Sequence, residues 1–221
     1  GLAHALDQVR GFAWLRQTFA WNGASPDQAD WETWDRLVAA VAGRDQQLIA
    51  VLTQPQPSAP PSPEALAAFA SAFAERFGDR LAVYQIWDEP NLYSAWGAAP
   101  SAAQYTAVLQ AAYAAIHAAD PTATVLAAAL APTLETGPDN LSDLLYLQAL
   151  YDVGAAPYFD AAAGKPYGFY TGPEDRAAAP DRLNFSRFTL LRQVMERNGD
   201  GHKLLWASAF GWNTRPDSAW G

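Results

Sequence analysis

The sequence predicts an α/β fold in which parallel strands are covered by helices. Two observations predict it. Short apolar runs of strand length alternate with amphipathic segments of helical length along nearly the whole chain, and the junctions carry residues that start and stop helices. A third bounds it: 221 residues, 50% of them hydrophobic and 17% charged, suffice for one sizeable core and have a globular balance. A single domain over residues 1–221 is expected.

In chain order, the first strand is predicted over residues 12–20. Asp30 then caps a helix that runs through Ala42 and stops at Gly43, where the helix-breaking glycine sits. Residues 47–53 read as the second strand. The Pro-rich stretch 53–63, TQPQPSAPPSP, is a stiff loop too short to separate domains. Ser62 followed by Pro63 opens a helix that stops at Gly78. A third strand over 81–87 precedes a helix begun by the Ser101/Gln104 capping box and ended by Asp120-Pro121. Its alanine-rich end follows helix propensity, and no internal repeat is visible. Strands over 124–131, 158–163 and 203–210 complete the set. Helices from about Leu141 to Val153 and from about Ser186 to Arg197 separate them, each ending before a glycine.

Six strands leave two architectures. A closed (β/α)8 barrel needs eight, so a barrel here lacks its first and last strands; they would lie before Gly1 and after Gly221, or another segment completes the sheet. The alternative is a doubly wound open sheet. Against it, no G-x-G-x-x-G or Walker-type loop follows the early strands.

The formal charge of −9 and the lack of any Lys/Arg cluster argue against a nucleic-acid surface, which must replace counterions along phosphates. With 0 cysteines there is no disulfide framework, thiolate metal site or cysteine nucleophile. Residues 1–12 lack the pattern of a signal peptide, and no apolar run reaches membrane-spanning length. The 9 Trp, 9 Tyr and 10 Phe suit either a packed core or platforms for the apolar faces of sugar rings. Oligomeric state is not legible.

The sharpest local feature is LAVYQIWDEPNLYSAW, residues 81–96. An apolar strand stops abruptly at Trp87-Asp88-Glu89-Pro90-Asn91, which sets two carboxyls and an amide where strand meets loop. In a parallel barrel that rim collects catalytic groups. The plain alternative is a polar strand end with helix-capping acids. His4, His117 and His202 are widely separated and form no metal spacing, and Ser208 has no G-x-S-x-G elbow. Asp160, near the start of its strand, reads as structural. Trp87, Trp96 and Trp212 read either as cleft lining or as packing.

Residues 87–91 resemble the W-N-E-P-N signature that closes the fourth strand of clan A retaining glycoside hydrolases, especially those of family 39 and their exopolysaccharide-hydrolase relatives. The resemblance implies a (β/α)8 barrel acting on O-glycosidic bonds, with Glu89 as general acid/base. It puts Asp88 where an asparagine usually meets the sugar 2-hydroxyl, and Asn91 nearby. GFAWLRQTFAW, residues 11–21, is similar to the second strand, whose arginine implies that Arg16 lies near the nucleophile; otherwise Arg16 is a salt-bridged barrel residue. Residues 118–132 resemble the passage into the fifth strand. Lys165-Pro166-Tyr167 stands where H-P-Y usually ends the sixth, which implies an active-site role for Tyr167 and a lysine in place of histidine. KLLWASAFGWN, residues 203–213, resembles the seventh strand, W-x-T-E-F-G-W, whose Glu is the nucleophile; Ala209 occupies that position.

Retaining hydrolysis needs two carboxyls about 5–5.5 Å apart, and a methyl group cannot attack an anomeric carbon. Ala209 is therefore either engineered or naturally degenerate, or else another carboxyl serves. Glu135, just past the fifth strand in LAPTLE, is a candidate, with a solvated loop acid as its plain reading. The expected function is a glycoside hydrolase, with a non-catalytic glycan-binding or scaffold protein as the alternative. The expected partner is a carbohydrate, with Arg16, Asp88, Asn91, Tyr167 and Trp212 binding it. No metal or organic cofactor is implied, and an extracellular or cell-surface setting follows from the resemblance alone.

Overall fold

The computed structural model describes residues 1–23 and 25–213. Strands β1 (Trp14–Ala20), β2 (Gln47–Thr53), β3 (Val83–Ile86), β4 (Thr124–Leu130), β5 (Ala161–Gly164) and β6 (Leu204–Ala207) form one sheet in the order β1-β2-β3-β4-β5-β6, with every neighbouring pair parallel. Each strand thus pairs with the next in sequence, and the winding never reverses. A doubly wound sheet reverses at its switch point, so that alternative is excluded. What remains is six consecutive strands of a (β/α)8 barrel, incomplete in this chain, with β1 and β6 at the open edges.

The helices are α1 (Leu2–Gln8), α2 (Trp31–Ala42), α3 (Pro63–Phe77), α4 (Tyr93–Trp96), α5 (Ala102–Ala119), α6 (Asp143–Asp152) and α7 (Phe188–Arg197). The predicted caps form: Asp30, Ser62 and Ser101 accept from the backbone N–H groups of Thr33, Ala65 and Gln104. α6 starts later than predicted because the Leu141 N–H is held by Asn91 O at 2.9 Å, which keeps that residue extended. The helix predicted from Ser186 opens as a 3-10 turn, Phe185–Arg187, capped by the Asn184 side chain. Predicted strand ends retreat for local reasons. β3 stops at Ile86 because Trp87 takes φ 68°, outside the extended region.

Two apolar layers flank the sheet. The larger lies under the helices and includes Phe19, Trp21, Trp34, Phe69, Phe73 and Phe77, whose rings meet edge to face, tilted or stacked. The smaller is the barrel interior, with Ile49, Val83, Leu126 and Ala161 from successive strands and Trp206 packed against them. Trp206 of β6 meets Trp14 of β1 edge to face, 5.2 Å between centroids, which brings the rings of the two edge strands together. α7 lies close on β5 because residue 164 is glycine: a Cβ there would come within 2.8 Å of Leu191. Most aromatic residues therefore serve the core rather than a binding surface.

Candidate active site

The site grows from the end of β3. Gln85, fully buried, donates to Trp87 O (2.8 Å) and Asp88 Oδ1 (3.2 Å) and accepts from Ser208 Oγ (2.7 Å), which fixes the inner wall between β3 and β6. Beyond it the chain turns sharply: Trp87 and Glu89 both have positive φ, 68° and 53°. L-residues there cost about 1–3 kcal/mol each, and such conformers persist where surrounding structure imposes them. Here the Glu89 N–H is held by Ala129 O (3.0 Å) and the Trp87 indole donates to Ala95 O (2.9 Å).

Four charges meet at this turn. Lys165, at the end of β5 and only 7% exposed, places Nζ 2.8 Å from Asp88 Oδ2 and 2.7 Å from Glu89 Oε1. Arg16 of β1 brings Nη2 to 2.8 Å from Asp88 Oδ2. That approach is off the hydrogen-bonding direction, and the Arg16 Nε is buried without a partner among the described residues. Two cations thus balance two carboxylates. Arg16, expected near position 209 or else as a salt-bridged barrel residue, is ion-paired with Asp88, and the lysine that stands in place of histidine is the direct partner of Glu89.

Asn91 departs from expectation. It is fully buried, donates to Ala131 O (2.8 Å) and Leu141 O (2.9 Å), and accepts from the Ala131 N–H (3.0 Å). With both ends of its amide engaged by backbone, it clamps the β3 and β4 loops together instead of facing a sugar. The same loops are stitched again by the Leu92–Asn140 bridge and by the Tyr93 N–H to Asp139 O (2.9 Å).

A cavity of about 770 Å³ opens at this rim, lined by Glu89, Glu135, Asn140, Tyr167, Phe169 and Trp212 among others. Glu135 is exposed, and the Asn140 amide donates to both its oxygens (2.9 and 3.1 Å). The Tyr93 N–H holds Asn140 in turn (3.1 Å). Tyr167 pairs with Gly211 and is 36% exposed; Trp212 is 37% exposed, stacks on Phe185 at 5.3 Å and donates to Thr171 O. Gly168 leaves room for that indole, since a Cβ would fall 1.9 Å from its Nε1. Trp87 and Trp96, by contrast, are fully buried against each other and line nothing. Ala209 lies just past the end of β6, after Ser208, whose N–H donates to Gly164 O (2.9 Å).

Behind the cavity, the buried Arg187 donates to Asp143 (2.7 and 3.0 Å) and to Pro180 O (2.6 Å), tying the 172–187 loop to α6. Burial pushes the Asp143 carboxyl above its ordinary range, against the opposing pull of Arg187. His117 bonds Tyr113 O and lies 3.7 Å from Asp160, which itself accepts from Val125 N–H, so both are structural. Among the described residues no group of three or more His, Asp or Glu is placed to hold a metal, and no helix is long and apolar enough to cross a membrane.

No family model matches the sequence, and no curated protein matches it. Solved structures do match over nearly its whole length. A glucosidase from Croceicoccus marinus superposes with TM-score 0.70 at 14% identity over 96% of this chain and 49% of its own. A family 39 glycoside hydrolase from the gut symbiont Bacteroides cellulosilyticus gives 0.69 at 20% identity over 97% and 47%, and a monomeric β-xylosidase from Caulobacter crescentus 0.66 at 17% over 97% and 49%. The chain shares the fold of these glycosidases, one of them a family 39 glycoside hydrolase. The chain spans about half the length of these proteins.

Proposed function

We propose that the cavity at the β3 rim binds a β-linked oligo- or polysaccharide and cleaves its O-glycosidic bond, with Glu89 as the proton donor. One observation carries the reading. Glu89, forced into positive φ at a strand end, faces a cavity of about 770 Å³ that also holds a second carboxylate, Glu135, and the rings of Tyr167, Phe169 and Trp212. A glycosidase needs a pair of carboxyl groups flanking the scissile bond, and aromatic faces suit sugar rings. Arg16 and Lys165 hold Asp88 and Glu89 in place, and Tyr167 and Trp212 face the sugar. The solved structures of like fold include a glucosidase and a β-xylosidase, which makes β-glucosides and β-xylosides the first substrates to try.

Retention, which the family resemblance implies, needs a nucleophile that Ala209 does not supply. A second reading therefore has a specific basis: with a methyl at 209 and Lys165 engaged on Glu89, the same cavity suits a protein that binds glycan without cutting it. Incubation with aryl β-glycosides and with β-linked oligosaccharides separates the two. Turnover supports the hydrolase. Saturable binding of the oligosaccharides, with no product after prolonged incubation, supports the binding protein instead.

A further inference from the structure

We infer that the glycan taken by this site is built of β-linked amino sugars with free, protonated amines, and that Glu135 and Asp139 select it. The inference rests on the reading of the cavity as a glycan site and names its substrate class. It starts from the charge on the walls. The cavity of about 770 Å³ carries the acids Glu89 and Glu135, and none of the described residues that line it is Lys, Arg or His. Lys165 and Arg16 are engaged behind it on Asp88 and Glu89. Glu135 has only neutral partners, the Asn140 amide (2.9 and 3.1 Å) and the Thr133 hydroxyl (3.4 Å), so its charge is uncompensated.

The same arrangement recurs beside it. A recess of about 260 Å³ adjoins the cavity, with Ser94 and Asn140 lining both, and it is completed by Asp139 and the exposed ring of Tyr93. No Lys, Arg or His lines this recess either, among the described residues. Two pairings of an acid with aromatic rings therefore occupy adjoining spaces: Glu135 with Tyr167 and Trp212, and Asp139 with Tyr93. Their backbone is held in place, since the Tyr93 N–H reaches both Asn140 Oδ1 (3.1 Å) and Asp139 O (2.9 Å). Asn140 in turn orients the Glu135 carboxylate.

An aromatic face gives a sugar ring its apolar contact and also attracts a cation through the negative charge of its π-system. A carboxylate with neutral neighbours keeps acceptor sites open to an ammonium. A neutral glucan fills the same space and leaves both acids unmatched. A uronate or sulfated chain brings like charge to them and approaches a protein of formal charge −9 against repulsion. A chain of amino sugars supplies a ring and a cation from each residue, which matches each space with both of its partners.

The test is calorimetric titration of the unmodified protein with three tetrasaccharides that share one β-linkage and differ in a single substituent: the amine of glucosamine, the acetamide of N-acetylglucosamine and the hydroxyl of glucose. At low salt, and at a pH where the amines are protonated, the glucosamine chain is expected to bind about fivefold more tightly than the glucose chain, the scale of exposed ion pairs. Added salt should shrink that ratio by screening the pairs. In a Glu135→Gln, Asp139→Asn double variant, altered only at exposed positions, the ratio should fall towards one. The salt series is read on the unmodified protein, so it tests the inference whether or not the variant folds. Equal affinities, a preference for the acetamide or hydroxyl chain, or an amine preference that survives added salt or the double variant overturns the inference and leaves the glycan reading standing. Binding of none of the three overturns both.

Discussion

Lys165 donates to Glu89 across 2.7 Å from a position 76 residues further along the chain, and it bonds Asp88 at 2.8 Å with the same ammonium. The contact ties the end of β5 to the end of β3 and supplies the charge that lets two adjacent carboxylates sit side by side. The pair is therefore a structural tie across the site.

Replacing Lys165 with methionine keeps most of the apolar side chain and removes its charge. Asp88 retains Arg16, while Glu89 loses its cation. The expected cost is about 1–3 kcal/mol, the penalty for leaving a partly buried acceptor unmatched. Denaturant unfolding reads it as a lower midpoint with an unchanged slope. An unchanged midpoint would show that the pair contributes nothing to folding.

Asn91→Ala orphans the Ala131 N–H and two carbonyl oxygens that the amide now serves. We expect a loss of about 3 kcal/mol, since each buried unsatisfied group costs about 1–3 kcal/mol. Because this clamp joins the loops carrying Glu89 and Glu135, hydrogen exchange at Leu141 should also accelerate. A sugar-contacting asparagine would instead weaken binding and leave stability intact.

Two tryptophans give opposite signatures. Trp212→Ala removes an exposed ring from the cavity wall and should weaken glycan binding by about 1 kcal/mol, roughly fivefold, with a small change in stability. Trp96→Ala empties a fully buried site and should cost about 3–5 kcal/mol of stability. Calorimetric titration with an oligosaccharide and thermal unfolding, run on both variants, separate the roles.

Ala209→Glu offers a carboxylate at the end of β6, where the sequence resemblance puts a nucleophile. The expected product of this variant contains the retained anomer, visible by proton NMR of the sugar first released from an aryl β-glycoside. An unchanged product configuration would show that position 209 does not face the anomeric carbon.

The sequence showed the strands, the helix caps and the rim at 87–91 because those signals are local: hydrophobic period, capping side chains, a proline and a run of acids. It also marked Lys165 as a departure from a motif, yet its partners lie on another strand, and no local signal names a contact 76 residues away. The role of Asn91 is hidden for the same reason. Next to a catalytic-looking acid it reads as a sugar ligand, and only the fold shows Ala131 and Leu141 reaching it first. Trp87 and Trp96 carried no mark to distinguish them from Trp212, because burial depends on α4 folding over the turn. Glu135 was visible as a rim acid; that it shares a cavity with Glu89 was not.

The most direct test compares the unmodified protein with Glu89→Gln on two aryl β-glycosides, one with a good leaving group (4-nitrophenyl) and one with a poor one (phenyl). A proton donor matters most when the leaving oxygen is basic. The account predicts a loss of about 100- to 10,000-fold on the phenyl glycoside, in the range of general acid catalysis, and a much smaller loss on the nitrophenyl glycoside. Equal losses on both, or none on either, would contradict the assignment of Glu89 as the group that protonates the glycosidic oxygen.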